Sequence, residues 1–185
     1  MGQFISNLRL ANKLLLVSVL ALLMLAVPTT FLVRSNLERS SAAKQEAAGL
    51  GPIQEALKLI QLTQQHRGMS AVLLAGNEGQ APARQAKEAE VGQALQKAQN
   101  AIAVLKEPNL VALADKISSD WKSLSSAVAT KSIAGPASFA RHTTLIADEL
   151  ALVEDIVNAS EIALDPTASG YFLQLAVLHY MPRVT

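Results

Sequence analysis

Residues 53–74, IQEALKLIQLTQQHRGMSAVLL, decide how this chain folds. Ile53, Leu57, Ile60, Gln64, Arg67, Ala71 and Leu74 follow one another at spacings of four and three, which places them along one face of an α-helix. The same spacing recurs downstream. Leu110, Leu113, Ile117, Trp121, Leu124 and Val128 form a second seam. Phe139, His142, Ile146, Leu150, Val153, Val157, Ser160 and Leu164 form a third, and Phe172, Leu175 and Leu178 begin a fourth. No stretch alternates with period two for long, and no hairpin dipeptide separates apolar runs. Ala, Leu, Gln, Lys and Glu, all strong helix formers, dominate the composition. The pattern predicts an all-α fold, an antiparallel four-helix bundle with short connections.

Helix breakers mark the expected boundaries. Gly49-Leu50-Gly51-Pro52 interrupts the approach to the first seam, and Gly76-Asn77-Glu78-Gly79 ends it. Pro82 suits a first helical turn, so the second helix is expected from about Pro82 to Lys131, kinked or broken at Pro108. Gly135-Pro136 opens the third helix. Asp165-Pro166 opens the fourth, with Asp165 as N-cap. That last helix runs to Thr185 without a C-cap glycine or a polar tail, so it is expected to be truncated and to return toward the membrane in a longer protein.

Upstream of the bundle lies Leu14–Val33, LLLVSVLALLMLAVPTTFLV, without a charge. About 20 residues rising 1.5 Å each cover roughly 30 Å, the thickness of a bilayer's hydrocarbon core. Arg9 and Lys13 precede the run and the following flank is mixed, which puts the N-terminus in the cytoplasm. The run exceeds a usual signal-peptide core and no A-x-A site closes it, so an uncleaved anchor is favoured over a cleaved signal. The expected organisation is a cytoplasmic N-terminus over 1–13, a transmembrane helix over 14–33 and a periplasmic helical bundle over 34–185.

Composition narrows the chemistry. The chain has 185 residues, a net charge of +1 and no cysteine. Near-neutrality offers no electrostatic basis for nucleic-acid binding. The absence of cysteine excludes thiolate metal sites, haem c attachment and cysteine nucleophiles. No E-x-x-H pair, i,i+4 histidine pair, P-loop, G-x-S-x-G or G-x-G-x-x-G occurs. No catalytic constellation, metal site or cofactor is expected, and the chain is not read as an enzyme.

Three segments carry a family resemblance. NLRLANKLLLVSVLALLML at the N-terminus looks like the basic flank and first span of methyl-accepting chemotaxis proteins. LIQLTQQHRGMSAVLLAGN, residues 59–77, is similar to a helix of their four-helix-bundle sensors, where an Arg-Gly core recurs. LDPTASGYFLQLAVLHYMPR, residues 164–183, resembles the start of the last sensor helix, although Gly170 departs from the usual polar residue there. The resemblance implies an extracytoplasmic sensor, homodimeric, that passes small-molecule binding across the inner membrane to cytoplasmic signalling partners. Histidine kinases and diguanylate cyclases carry similar sensors, and a structural bundle without a ligand is the rival of another class.

Gln64 and Arg67 occupy seam positions where leucine would be expected. A buried guanidinium must be paired. Its planar fork suits an organic or inorganic anion, but an interhelical ion pair or a solvated edge of the bundle is favoured over that reading. Counting 1.5 Å per residue from the turn at Asn77 places Glu154 and His179 at the level of Arg67, so Gln64, Arg67, Glu154 and His179 form the candidate ligand layer. Arg141 and His142, secondary candidates, fall roughly 33 Å below that end by the same count. Trp121 is expected in the core.

Overall fold

The computed structural model describes residues 9–160 and Ile162. Among them are four α-helices, a single 3-10 turn and no strand. The helices are α1 (Leu10–Leu74), α2 (Ala81–Ala103), α3 (Pro108–Ala129) and α4 (Gly135–Ala159), with the 3-10 turn Glu78–Gln80 between α1 and α2. The all-α expectation is met. The expected final helix from Pro166 lies outside the described residues.

The chain divides into two compact units after Ala43. In the first, α1 carries Leu14–Val33, whose side chains are exposed throughout. This is a stretch long and apolar enough to cross a membrane. Around Pro28, Thr29 and Thr30 donate their hydroxyl protons back to the carbonyls of Leu25 and Val27. Such local bonding keeps polar groups satisfied where water is absent.

In the second unit, the remainder of α1 packs with α2, α3 and α4 around Leu59, Ile60, Val91, Ile102, Ile117, Leu124, Val128, Leu152 and Ile156, all essentially buried. Each neighbouring pair runs antiparallel. Between α1 and α4, Thr63 meets Glu149 and His66 meets His142. Between α3 and α4, Lys116 meets Asp148 at 2.5 Å and Arg141 meets Ser123 at 3.1 Å. Gln99 of α2 donates to Asp115 of α3.

Of the two outcomes expected at Pro108, a kink or a break, the break is observed: the proline starts a new helix. Proline has no N–H and disfavours helical backbone in the residue before it. Glu107 is accordingly extended (φ −97°, ψ 107°), and Lys106 takes a left-handed turn at φ 58°. Conversely, Gly49-Leu50-Gly51-Pro52 does not break α1. The carbonyl of Ala48, which loses its donor at Pro52, belongs to an exposed residue, where water can replace the missing bond. Gly49 itself is buried because α4 crosses there. A Cβ at Gly49 would stand 2.4 Å from the Ser160 Cβ.

Splitting the second region has a large consequence. The fourth helix of the bundle is residues 135–159, and it starts rather than finishes at the end where α1 stops. Gly135 lies beside Leu74, and Lys131 pairs with Glu78. The early residues of α4 therefore sit level with the late residues of α1.

Candidate functional site

The register of α1 sets what enters the bundle. From Ile53 onward its buried residues are Ile53, Ala56, Leu59, Ile60, Leu62, Thr63, His66, Ser70 and Leu73. The innermost line is thus Thr63, His66 and Ser70, one position away from the Gln64 and Arg67 seam expected from spacing. Both Gln64 and Arg67 are half-buried at the rim. The apolar arc of α1 is wide, with Leu57, Leu59, Ile60 and Leu62 all apolar, so two adjacent phases fit the spacing. Hydrogen bonds from other helices select the phase that buries the polar residues.

His66 is completely buried and is the centre of a polar cluster. Its Nδ1 lies 3.0 Å from Nε2 of His142, on α4, and 3.3 Å from the Ser70 hydroxyl. Its Nε2 lies 3.1 Å from Nη1 of Arg84, on α2. From α3, the Trp121 ring meets it edge-on with centroids 4.8 Å apart. His142, also completely buried, places Nδ1 2.8 Å from the Ser138 carbonyl. Arg84 is 5% exposed and also donates to Glu88 at 2.6 Å. Its Nε has no partner among the described residues.

These contacts determine the tautomers. The Ser138 carbonyl only accepts, so His142 Nδ1 carries the hydrogen. Burial lowers the pKa of His142, an effect reinforced by the charges of Arg67 and Arg141 although the Ser138 bond opposes it. The neutral ring leaves Nε2 bare, and His66 Nδ1 must donate to it. His66 is held neutral still more strongly: burial, then His142 and Arg84, push its pKa down to about 3. Its bare Nε2 accepts from Arg84. Arg84, His66, His142 and the Ser138 carbonyl thus form one relay in which every bond donates in the same direction.

About two turns along α4, the fully buried Glu149 accepts a hydrogen bond from Thr63 at 2.8 Å, while its Oε2 has no partner among the described residues. Burial raises its pKa to about 8, with Asp148 adding to the rise and Thr63 opposing it. It is therefore protonated and uncharged at neutral pH. Three guanidiniums lie around the His66–His142 pair: Arg84 is paired with Glu88, Arg141 lines a cavity with Asp120 and Asp148, and Arg67 makes no ion pair among the described residues.

Arg67 is the accessible member. Its guanidinium lies 4.8 Å from the centroid of the Phe139 ring and 3.4 Å from the Thr143 hydroxyl. The ring fixes the plane of the fork, and Thr143 occupies only one of its five N–H donors. The candidate layer is therefore rebuilt. His142 joins the level of Arg67 instead of lying far below it, and Arg141 is one residue away, reaching Ser123. Glu154 lies eleven residues beyond Thr143 on α4, roughly 16 Å along the helix from Arg67, so the two do not share a layer. Gln64 stands one turn from Arg67 on α1. His179 is outside the described residues. Trp121 is in the core, as expected, at 5% exposure.

Spacing does not single out His66, Arg84 or Glu149. A weak signal exists for His66: with Ser70 it makes a polar i,i+4 pair inside an apolar helix. Arg84 and Glu149 look like ordinary surface charges in sequence. Among the described residues no cluster of metal-ligating side chains occurs.

A family model described as nitrate and nitrite sensing matches residues 58–176, from the middle of the second unit's α1 segment through α2, α3 and α4. No curated protein and no solved structure matches the chain.

Proposed function

This chain belongs to the nitrate and nitrite sensing family, and from that premise we propose that it is the extracytoplasmic sensor of a transmembrane chemoreceptor, binding nitrate or nitrite at Arg67. Leu14–Val33 is the first membrane span in this proposal, and the bundle after it faces the periplasm. The observation that carries the assignment is the guanidinium of Arg67 at the rim, which makes no ion pair among the described residues, whereas Arg84 is paired with Glu88 and Arg141 lies beside Asp120 and Asp148. Protonation of Glu149 removes the nearest buried negative charge. A small planar monoanion offers two coplanar oxygens to a guanidinium fork. Arg67 presents that fork at the rim, braced by Phe139 and next to a Thr143 hydroxyl. Arg84, by contrast, is enclosed and already bonded to Glu88 and His66.

The test is titration calorimetry on the full chain in detergent micelles with the potassium salts of nitrate, nitrite, chloride and sulfate. Saturable heat is expected for nitrate or nitrite. Arg67→Ala is expected to abolish it while Trp121 fluorescence reports an intact bundle. Undiminished binding by Arg67→Ala overturns the placement at Arg67, and no heat with either oxyanion overturns the ligand assignment.

A further inference from the structure

The relay through the bundle has only one self-consistent set of hydrogen positions as long as both rings are neutral. It also joins three helices. His66 and Arg67 are neighbours on α1, Arg84 holds His66 from α2, and His142 approaches from α4. Arg67, the proposed anion ligand, and Arg141 are the charges that act on His142, from α1 and from α4. The other groups facing the pair leave that balance unchanged. From α2 come Arg84 and Glu88, already bonded to one another. From α3 comes the Trp121 ring, with Asp120 and Lys122 beside it in sequence, and Asp120 is paired with Lys116. From α4, Glu149 is uncharged at neutral pH, and Asp148, which lines a cavity with Arg141, is paired with Lys116.

We propose that capture of a small oxyanion by Arg67 is coupled to uptake of one proton by His142, and that this proton reverses the relay and releases Arg84 from His66. The proposal rests on the anion assignment above and specifies how that site is regulated. Burial is the largest effect that keeps His142 neutral, and the charges of Arg67 and Arg141 add to it; the anion cancels the Arg67 share, which shifts the ring toward protonation. A solvent proton then adds to the bare Nε2 of His142, the one basic lone pair on that ring. No other covalent bond is made or lost in that step. The new N–H points at the N–H on His66 Nδ1, 3.0 Å away. His66 can accept it only by releasing its Nδ1 proton to solvent and taking a solvent proton on Nε2, so one N–H bond breaks, one forms, and the net uptake stays at the single proton on His142. That places an N–H against the Arg84 N–H at 3.1 Å, donor to donor. Arg84 keeps its bond to Glu88 and leaves the ring. The His66–Arg84 contact between α1 and α2 is thereby lost, while the His66–His142 contact between α1 and α4 persists with its direction reversed. Two discrete arrangements of one contact network are what a ligand-biased switch requires.

Titration calorimetry with nitrate, whose own charge is constant near neutrality, tests the coupling. The full chain in micelles is titrated at pH 6.5 in two buffers of contrasting ionisation enthalpy, and again from pH 6 to 8. The expected result is a buffer-dependent enthalpy reporting up to about one proton per nitrate, and a Kd that rises by up to about tenfold per pH unit. His142→Gln, which keeps a donor for the Ser138 carbonyl, is expected to bind nitrate with no buffer dependence. Heats that agree between buffers together with a flat Kd overturn the coupling and leave the anion assignment standing. No nitrate heat at any pH overturns both. Should His142→Gln fail to fold, nitrogen-15 histidine spectra of the native chain decide. Nitrate is expected to convert one buried neutral ring to imidazolium, and unchanged tautomers overturn the proposal.

Discussion

Glu149→Gln isolates the cost of enclosing a carboxyl group in this bundle. Glu149 is fully buried on α4 with one hydrogen bond, from Thr63. Its pKa is raised from 4.5 to about 8, chiefly by burial. The native state thus holds a proton that the unfolded chain has released above pH 4.5, so stability falls as pH rises from there to about 8. His66 has the opposite sign: its pKa is lowered from 6.5 to about 3, so stability falls as pH drops through that window. Between pH 4.5 and 6.5 the carboxyl slope is opposed by that of His66, with His142 adding to the histidine side, and above 6.5 the carboxyl slope stands alone. Glutamine has nearly the same shape and cannot ionise. Over most of the range from pH 5 to pH 8 the stability of Glu149→Gln relative to the native chain is expected to improve by about 1.4 kcal/mol for each pH unit, or about 3.5 kcal/mol in all once the slope flattens at either end. Denaturant titrations followed by Trp121, the single tryptophan and a core residue, measure it directly. Equal pH slopes for the two proteins between pH 5 and 8 would show that Glu149 is not held protonated, and the account of its burial would be wrong.

Other perturbations follow from the same contacts. Thr63→Val removes the donor to Glu149 and is expected to cost about 1–2 kcal/mol and to move the carboxyl titration further upward, read from the same denaturant series. Gly49→Ala places a methyl group against Ser160, and the forced separation of α1 and α4 is expected to cost about 1–3 kcal/mol in thermal unfolding. Lys106→Gly relieves a left-handed backbone at φ 58° and is expected to stabilise the bundle by about 1 kcal/mol, with a higher midpoint in denaturant. His66→Gln removes one of the two buried histidines whose protonation opposes folding in acid, so the stability of the variant relative to the native chain is expected to rise as pH falls from 6.5 toward 3 in fluorescence-detected titrations.

The helical character of every described element, the apolar run at the N-terminus and most helix ends are legible in the residues. Three-four spacing and propensity act locally, and proline and glycine act on their own backbone. The core faces of α3 and much of α4 can be read in the same way, with Ile117, Trp121, Leu124, Val128, Ile146 and Val153 all buried as their spacing requires. Arg67 is visible as an anomaly, a cation on a helix otherwise apolar at that level. Its neighbours are not. Whether Pro108 kinks a helix or reverses the chain is a choice between two nearby backbone states, and the packing of α3 along α2 makes it. That reversal alone moves His142 from the far end of the bundle to a site where its ring lies within 3.0 Å of His66. The rotation of α1 by one residue is equally hidden, because hydropathy scores Thr63, His66 and Ser70 as surface residues. They are buried because Glu149, His142 and Arg84 arrive from other helices to satisfy them, and a hydrogen bond between positions 76 residues apart leaves no periodic trace in either segment.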